Sequence, residues 1–171
     1  MTNRTIILGG KGVALAAMTL ADQPQFHAWL QDPELRNLID DQRIPTIRDQ
    51  SLWFERVQKP DRKFFSLVTV PDGTLIGNGG FVDIDPKLHQ ATLRITIGHP
   101  EFRGKGLGSE AVSLLVAYAF GTAQWKRINL NVLKTNERAI RSYEKSGFKI
   151  TSEHLQDGKT IFTMTLDSPH A

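Results

Sequence analysis

The chain has no cysteine. That excludes a disulfide scaffold, a thiolate metal site and any route through a thiol nucleophile. It also lacks the roughly 18 consecutive apolar residues a membrane span requires. The apolar stretch Val13–Leu20 follows Arg4 and Lys11, as the core of a leader would, but Thr19 interrupts it and a helix-start pattern comes directly after. It reads as an edge strand. Neither sign of charge is in great excess: 21 Lys and Arg stand against 18 Asp and Glu, and 40% of residues are hydrophobic, which excludes a disordered chain. No repeat, low-complexity tract or long linker divides the 171 residues, so one domain over 1–171 is expected. The same reading predicts a soluble, cytoplasmic protein with no membrane partner.

What charge there is lies unevenly. The stretch 103–149 holds nine bases and only three acids, Glu110, Glu137 and Glu144, so the remainder is net acidic. A polyanion-binding surface would spread Lys and Arg along a face with exposed aromatics. Clustering beside a glycine-rich turn indicates a local anion site instead, and nucleic acid is not expected as a partner.

The hydrophobic periods give the element order. Thr19 to Asp22 has capping-box spacing and predicts a helix over Ala21–Leu30. Asp32-Pro33 starts a second helix through Leu38, and Thr46 or Asp49 opens a third carrying Leu52, Trp53 and Val57. Strands follow at Phe64–Val70, Leu75–Asp83 and Ala91–Ile97. A helix over Ser109–Thr122 buries Ala111, Leu114, Leu115, Tyr118 and Ala119 on one face. Strand Arg127–Val132 and helix Glu137–Ser146 precede two strands, Lys149–Leu155 and Lys159–Leu166, around a Gln156-Asp157-Gly158 turn. The expected class is α/β (α+β): one mixed sheet, with a glycine-rich strand-to-helix junction near its middle.

That junction, Arg103-Gly104-Lys105-Gly106-Leu107-Gly108-Ser109, is the most informative segment. Three glycines allow a tight turn that aims several N–H groups at one point, where the helix dipole and two cations add positive charge. This chemistry suits a phosphate or pyrophosphate. The spacing Gly-x-Gly-x-Gly fits neither the Walker loop nor the Rossmann turn.

Arg103-x-x-Gly106-x-Gly108 resembles the Arg/Gln-x-x-Gly-x-Gly/Ala motif of the GNAT superfamily of acetyl-CoA-dependent N-acetyltransferases. Asn136-x-x-Ala139-x-x-x-Tyr143-x-x-x-Gly147-Phe148 is similar to the same superfamily's second signature, and the gap between the blocks fits. Asp22, Trp29, Asp32-Pro33-Glu34, Asp61-Arg62-Lys63-Phe64 and Ile76-Gly77 resemble one branch, that of ribosomal-protein N-terminal and spermidine/diamine acetyltransferases. The resemblance implies a central, mostly antiparallel twisted sheet flanked by helices, acetyl-CoA as cosubstrate, no metal, and a homodimer.

It also implies roles. The pyrophosphate would rest on the backbone of Arg103, Gly104, Lys105, Gly106, Leu107, Gly108 and Ser109, and the pantetheine arm would pair like an added strand with Thr96, Ile97 and Gly98. The Ile97 N–H would donate to the thioester oxygen. Tyr143 is the general-acid candidate, because a phenol with pKa near 10 is protonated at neutral pH and can hand its proton to a departing thiolate. Asn136 caps its helix and is placed to reach the pantetheine, with Asn131 on the preceding strand as a further contact. Arg138, Arg141 and Lys145 either contact CoA phosphates or form a solvated helix face. Relatives often carry a glutamate base where this chain has Thr92; Asp83, Asp85, His89 and His99 are the other titratable groups, and no base is assigned.

The acids Asp22, Asp32, Glu34, Asp40, Asp41 and Asp49 outnumber Arg36, Arg43 and Arg48 in the early helices, which would draw a cationic amine if they formed a rim. The expected reaction is direct acetyl transfer, in a ternary complex, to a primary amine: a protein or peptide N-terminus, or a polyamine or other small amine. The alternative is a non-catalytic acyl-CoA sensor, suggested by the missing carboxylate at Thr92.

Overall fold

The computed structural model describes residues 4–170. One eight-stranded sheet runs in the order β1-β2-β3-β4-β5-β6-β8-β7. Its strands are β1 (Ile6–Gly9), β2 (Val13–Ala17), β3 (Lys63–Thr69), β4 (Leu75–Asp85), β5 (Gln90–Ile97), β6 (Arg127–Leu133), β7 (Lys149–Gln156) and β8 (Lys159–Asp167). Every neighbouring pair is antiparallel except β5–β6. That parallel ladder lasts only from Gln90↔Arg127 to Thr92↔Asn129. Beyond it the two strands part, and the sheet opens into a V at its centre.

Val13–Leu20 is not the edge strand it was read as. Its first five residues form β2, buried between β1 and β3, and the edge is the short β1. Ile6–Gly9 is too short, and too exposed on both faces, to show an apolar period.

The expected helix over Ala21–Leu30 divides into one 3₁₀ turn, Leu20–Asp22, and α1 (Gln23–Trp29), with Pro24 in the first turn. The Thr19 N–H donates to the Asp22 carboxylate at 3.0 Å, so the capping box forms. Asp22 is fully buried, and Arg4 grips it through both terminal nitrogens while the Ser66 hydroxyl on β3 donates at 2.7 Å. Burial raises the carboxyl pKa, but the hydrogen bonds from Arg4, Thr19 and Ser66 outweigh it and leave the group below its usual range. This network ties the N-terminal segment and α1 to the sheet.

In α2 (Pro33–Leu38), Asp32 accepts from the Glu34 N–H at 2.9 Å. Thr46, not Asp49, caps α3 (Ile47–Val57), with Asp49 completing the box. The helix α4 (Leu107–Ala117) begins two residues earlier than its periodicity indicates, and the chain continues through one wide helical turn, Tyr118–Thr122. Asn136 caps α5 (Glu137–Lys145), which Gly147 ends at φ +92.

Two layers follow from the alternation of side chains. On one face α4 covers Val13, Leu15, Phe65, Leu67, Ile76, Phe81 and Leu93. On the other, α1–α3 pack Phe26, Trp29 and Leu35 against Met18, Trp53 and Leu75. Burying a side chain such as Phe65 or Phe81 stabilises the fold by roughly 1.5–3 kcal/mol. The rigid layers hold the V open, with α4 entering at its base.

Candidate active site

A cleft of about 650 Å³ fills the V, bounded by β5, β6, the N-terminus of α4, α5, α2 and the β7–β8 hairpin. Thr96, Ile97, Arg103, Gly104, Gly106, Gly108, Ser109, Asn131, Asn136, Arg138, Arg141 and Tyr143 all line it. Gly98, Lys105 and Leu107 do not. Gly98 is buried under the Trp29 ring, where a side chain would collide. The Lys105 ammonium stands 5.4 Å over the Phe102 ring. The Leu107 side chain turns back toward Gly12.

Strand alternation sorts the β5 backbone. The carbonyls of Arg94 and Thr96 lie against Gly79 and Gly77 on β4, so Ile95 and Ile97 turn their N–H and C=O into the V. The Ile97 N–H therefore faces the cleft and that of Thr96 does not; an arm lying along β5 meets Thr96 only through its side chain. The Ile95 and Ile97 side chains pack toward Leu115 and Gly108 of the α4 layer. Arg94 and Thr96 accordingly project to the α1–α3 side.

The glycine-rich turn has the expected form. Gly104 and Gly106 sit at φ +78 and +81, where any Cβ would be strained. Among the described residues, no N–H from Gly104 to Ser109 donates to the chain, whereas the Arg103 N–H is held by Pro100 O at 3.2 Å. Six adjacent donors at a helix N-terminus form an anion cradle.

The Arg103 guanidinium, however, is turned away from that cradle. It donates to Ile97 O at 3.1 Å and Gly98 O at 2.6 Å, and pairs with Asp32 at 3.2 Å and Glu34 at 3.4 Å, with 11% of its side chain exposed. The slight burial of Asp32 raises its pKa, and the Glu34 N–H and Arg103 more than reverse that. Arg103 thus braces β5 and α2 and carries no free charge to a phosphate. Arg138 takes that place, its guanidinium lying close over Gly104. Arg141 is paired with Glu137 at 3.2 Å on the solvent side. Asn131 accepts from Thr163 at 3.0 Å, and Asn136 from the Ala139 N–H at 3.2 Å. Ser142, which sequence reasoning missed, shares a 2.6 Å hydrogen bond with Ser109 and locks α5 to the turn. Its place in the second signature was the available signal.

Tyr143 is half-buried in the cleft wall, its ring 6.1 Å edge-on from Phe148. Its hydroxyl makes no hydrogen bond among the described residues. Burial pushes the phenol pKa up, and the positive charge of Arg94 opposes that only in part. The group is a protonated donor in the wall of the cleft.

None of Asp83, Asp85, His89 and His99 lines the cleft. His99 lies between Trp29 and Phe102, its Nδ1 buried without a partner. Asp40, the one carboxylate lining the cleft among the described residues, is held by Lys159. The acidic rim that the early helices implied is consumed. Asp22 is bound by Arg4, Asp32 and Glu34 by Arg103, Asp40 by Lys159 and Asp41 by Arg43, while Asp49 accepts from the Thr46 N–H and hydroxyl in the capping box of α3. Arg94, also missed, stands in the cleft with no carboxylate in ion-pair range among the described residues. Its signal was a charged residue inside an otherwise apolar and β-branched strand.

The chain resembles known proteins over most of its length. Residues 13–149 match the family described as Acetyltransferase (GNAT) domain. An N-acetyltransferase 9-like protein of Nematostella vectensis is 26% identical over 161 residues, 88% of this chain and 81% of that one. The spermidine N(1)-acetyltransferase of Escherichia coli K12 is 32% identical over 134 residues, 75% of this chain but 63% of that protein's length. Among solved structures, the spermidine N-acetyltransferase of Vibrio cholerae in complex with CoA and spermine superposes with a TM-score of 0.83 at 18% identity, covering 91% of this chain and 95% of that one. At that identity the likeness shows the fold.

Proposed function

This chain belongs to the GNAT acetyltransferase family, and on that premise we propose that its cleft binds acetyl-CoA through the residues just described and acetylates a primary amine brought in between α2 and the β7–β8 hairpin. The protein is an acetyl-CoA-dependent N-acetyltransferase; the residue roles and the acceptor are our reading. The carrying observation is the six free N–H groups of Gly104–Ser109 at one end of a sheet that opens after Thr92.

These residues fit the cosubstrate. The cradle and Arg138 hold a pyrophosphate, and the exposed edge of β5 accepts an extended amide arm as an added strand would. Bound there, acetyl-CoA supplies an activated acyl group as a thioester. The Ile97 N–H is oriented to donate to the acyl oxygen, stabilising the negative charge that develops on it. The acceptor nitrogen attacks as a free amine; the C–N bond forms, the C–S bond breaks, and the amine's proton leaves to water. Tyr143 donates its hydroxyl proton to the sulfur and is reprotonated from solvent, so CoA departs as a thiol. Among the described residues no histidine lines the cleft and its one carboxylate, Asp40, is held by Lys159, which leaves that step to water. The sensor alternative is not favoured, given the family. We further propose that two copies pair along β7, whose eight residues are all exposed at the sheet edge, in a cytoplasmic enzyme; sedimentation at micromolar concentration gives a dimer mass if so.

The test is release of free thiol from acetyl-CoA, read with a thiol-reactive dye across peptides, spermidine, diamines and amino sugars. With no cysteine in the chain, every thiol detected comes from CoA. Amine-dependent release establishes the reaction. Silence across the panel with acetyl-CoA still bound by calorimetry overturns it.

A further inference from the structure

We propose that Arg94 selects the acceptor by gripping a carboxylate that the acceptor carries close to its reacting amine, an inference that rests on the acetyl-transfer reading above. Arg94 lies on β5 three residues before Ile97, about 10 Å further from the phosphate cradle at the rise of an extended strand. It is therefore at the acyl end of the cleft, beyond the reach of the CoA phosphates. Its side chain projects to the α1–α3 side, beneath the mouth through which an acceptor enters, with Gly80 as its cross-strand partner on β4. The guanidinium is exposed to the cleft and has no carboxylate partner among the described residues. Five N–H donors in a planar fork suit a carboxylate gripped by two hydrogen bonds.

A second observation supports the same conclusion. The acids that would draw a polycation are all engaged, and Asp40, the only one of them in the cleft, is neutralised by Lys159 from the hairpin. The acyl end thus keeps an uncancelled positive charge. A spermidine-like acceptor pays for that charge in repulsion, whereas an amine with a neighbouring carboxylate is attracted by it. Two sources share this chemistry: a free α-amino acid, and a peptide N-terminus followed by an acidic residue.

The experiment measures thiol release with amidated tripeptides Ser-Glu-Ala, Ser-Gln-Ala and Ser-Lys-Ala, with free glutamate and with spermidine, alongside calorimetric binding of each to the protein saturated with CoA. Wild type is expected to use Ser-Glu-Ala or glutamate with kcat/KM at least tenfold above Ser-Gln-Ala and spermidine; which of the two is better identifies the source. Arg94→Gln should bring the acidic acceptor down to the level of its Gln counterpart, with acetyl-CoA affinity retained, and Arg94→Glu should favour Ser-Lys-Ala. A wild-type preference for spermidine or Ser-Lys-Ala overturns the inference, as does a preference for the acidic acceptor that survives in Arg94→Gln. Absence of turnover with every amine overturns the transfer reading alone if the acidic peptide still binds more tightly to wild type than to Arg94→Gln.

Discussion

Replacing Tyr143 by Phe removes one oxygen atom from the cleft and little else. The ring keeps its edge-on contact with Phe148, and the lost hydroxyl has no hydrogen-bond partner among the described residues to leave unsatisfied. Stability should therefore change by less than about 0.5 kcal/mol. Turnover should change far more, because a positioned general acid contributes roughly 10²–10⁴ in rate, or about 3–5 kcal/mol of barrier. Under the dye assay, kcat should fall by that factor while the acetyl-CoA dissociation constant stays within about twofold. The pH profile adds a second check. Burial raises the Tyr143 pKa and Arg94 partly lowers it, so the alkaline loss of kcat should begin above the ordinary phenol range of 10, and Arg94→Gln should move it higher still. An unchanged kcat in Tyr143→Phe would show that the proton comes from elsewhere. A collapse of acetyl-CoA affinity would make Tyr143 a contact for the arm and not its acid.

Three further outcomes follow from particular contacts. Asp22→Asn breaks a buried pair and leaves Arg4 facing a neutral group, which should cost about 3 kcal/mol and lower the melting temperature by roughly 6–12 °C. Because the Asp22 pKa lies below its ordinary 3.8, its contribution is fully present above that value and is lost as pH falls through the lower folded value; the variant's melting temperature should depend less on pH below about 4 than the wild type's. Arg138→Gln should weaken acetyl-CoA binding and flatten its salt dependence, whereas Arg103→Gln should weaken binding with the salt slope unchanged and the melting temperature lowered, since its charge is spent on Asp32 and Glu34. Calorimetry at several ionic strengths separates the two, and equal slopes for wild type and Arg138→Gln would remove Arg138 from the phosphate site. Gly106→Ala meets open space but a φ of +81, so it should cost roughly 1 kcal/mol from backbone strain and reduce acetyl-CoA affinity; an undiminished affinity would argue that the turn does not hold the pyrophosphate.

What the sequence determined by itself was whatever short-range chemistry decides. Capping pairs such as Thr46–Asp49 and Asn136–Ala139, the Gln156-Asp157-Gly158 turn and the glycine cradle depend on residues within a few positions of one another, and all are where their spacing put them, while α4 is present with its start moved to Leu107 and its last turn widened. Two signature blocks were enough to point to the family. Tertiary structure alone decided which charges are free. Arg103 and Asp32 lie 71 positions apart, and Lys159 and Asp40 lie 119 apart; no local pattern says that these pairs meet, so the turn's arginine read as a phosphate ligand and the early acids as a rim. The release of β5 from β6 after three ladder residues was equally invisible, because strand pairing is a property of register and twist across the whole sheet. That opening creates the cleft, turns the Ile97 N–H inward and places Arg94 in its lining, without an ion-pair partner among the described residues.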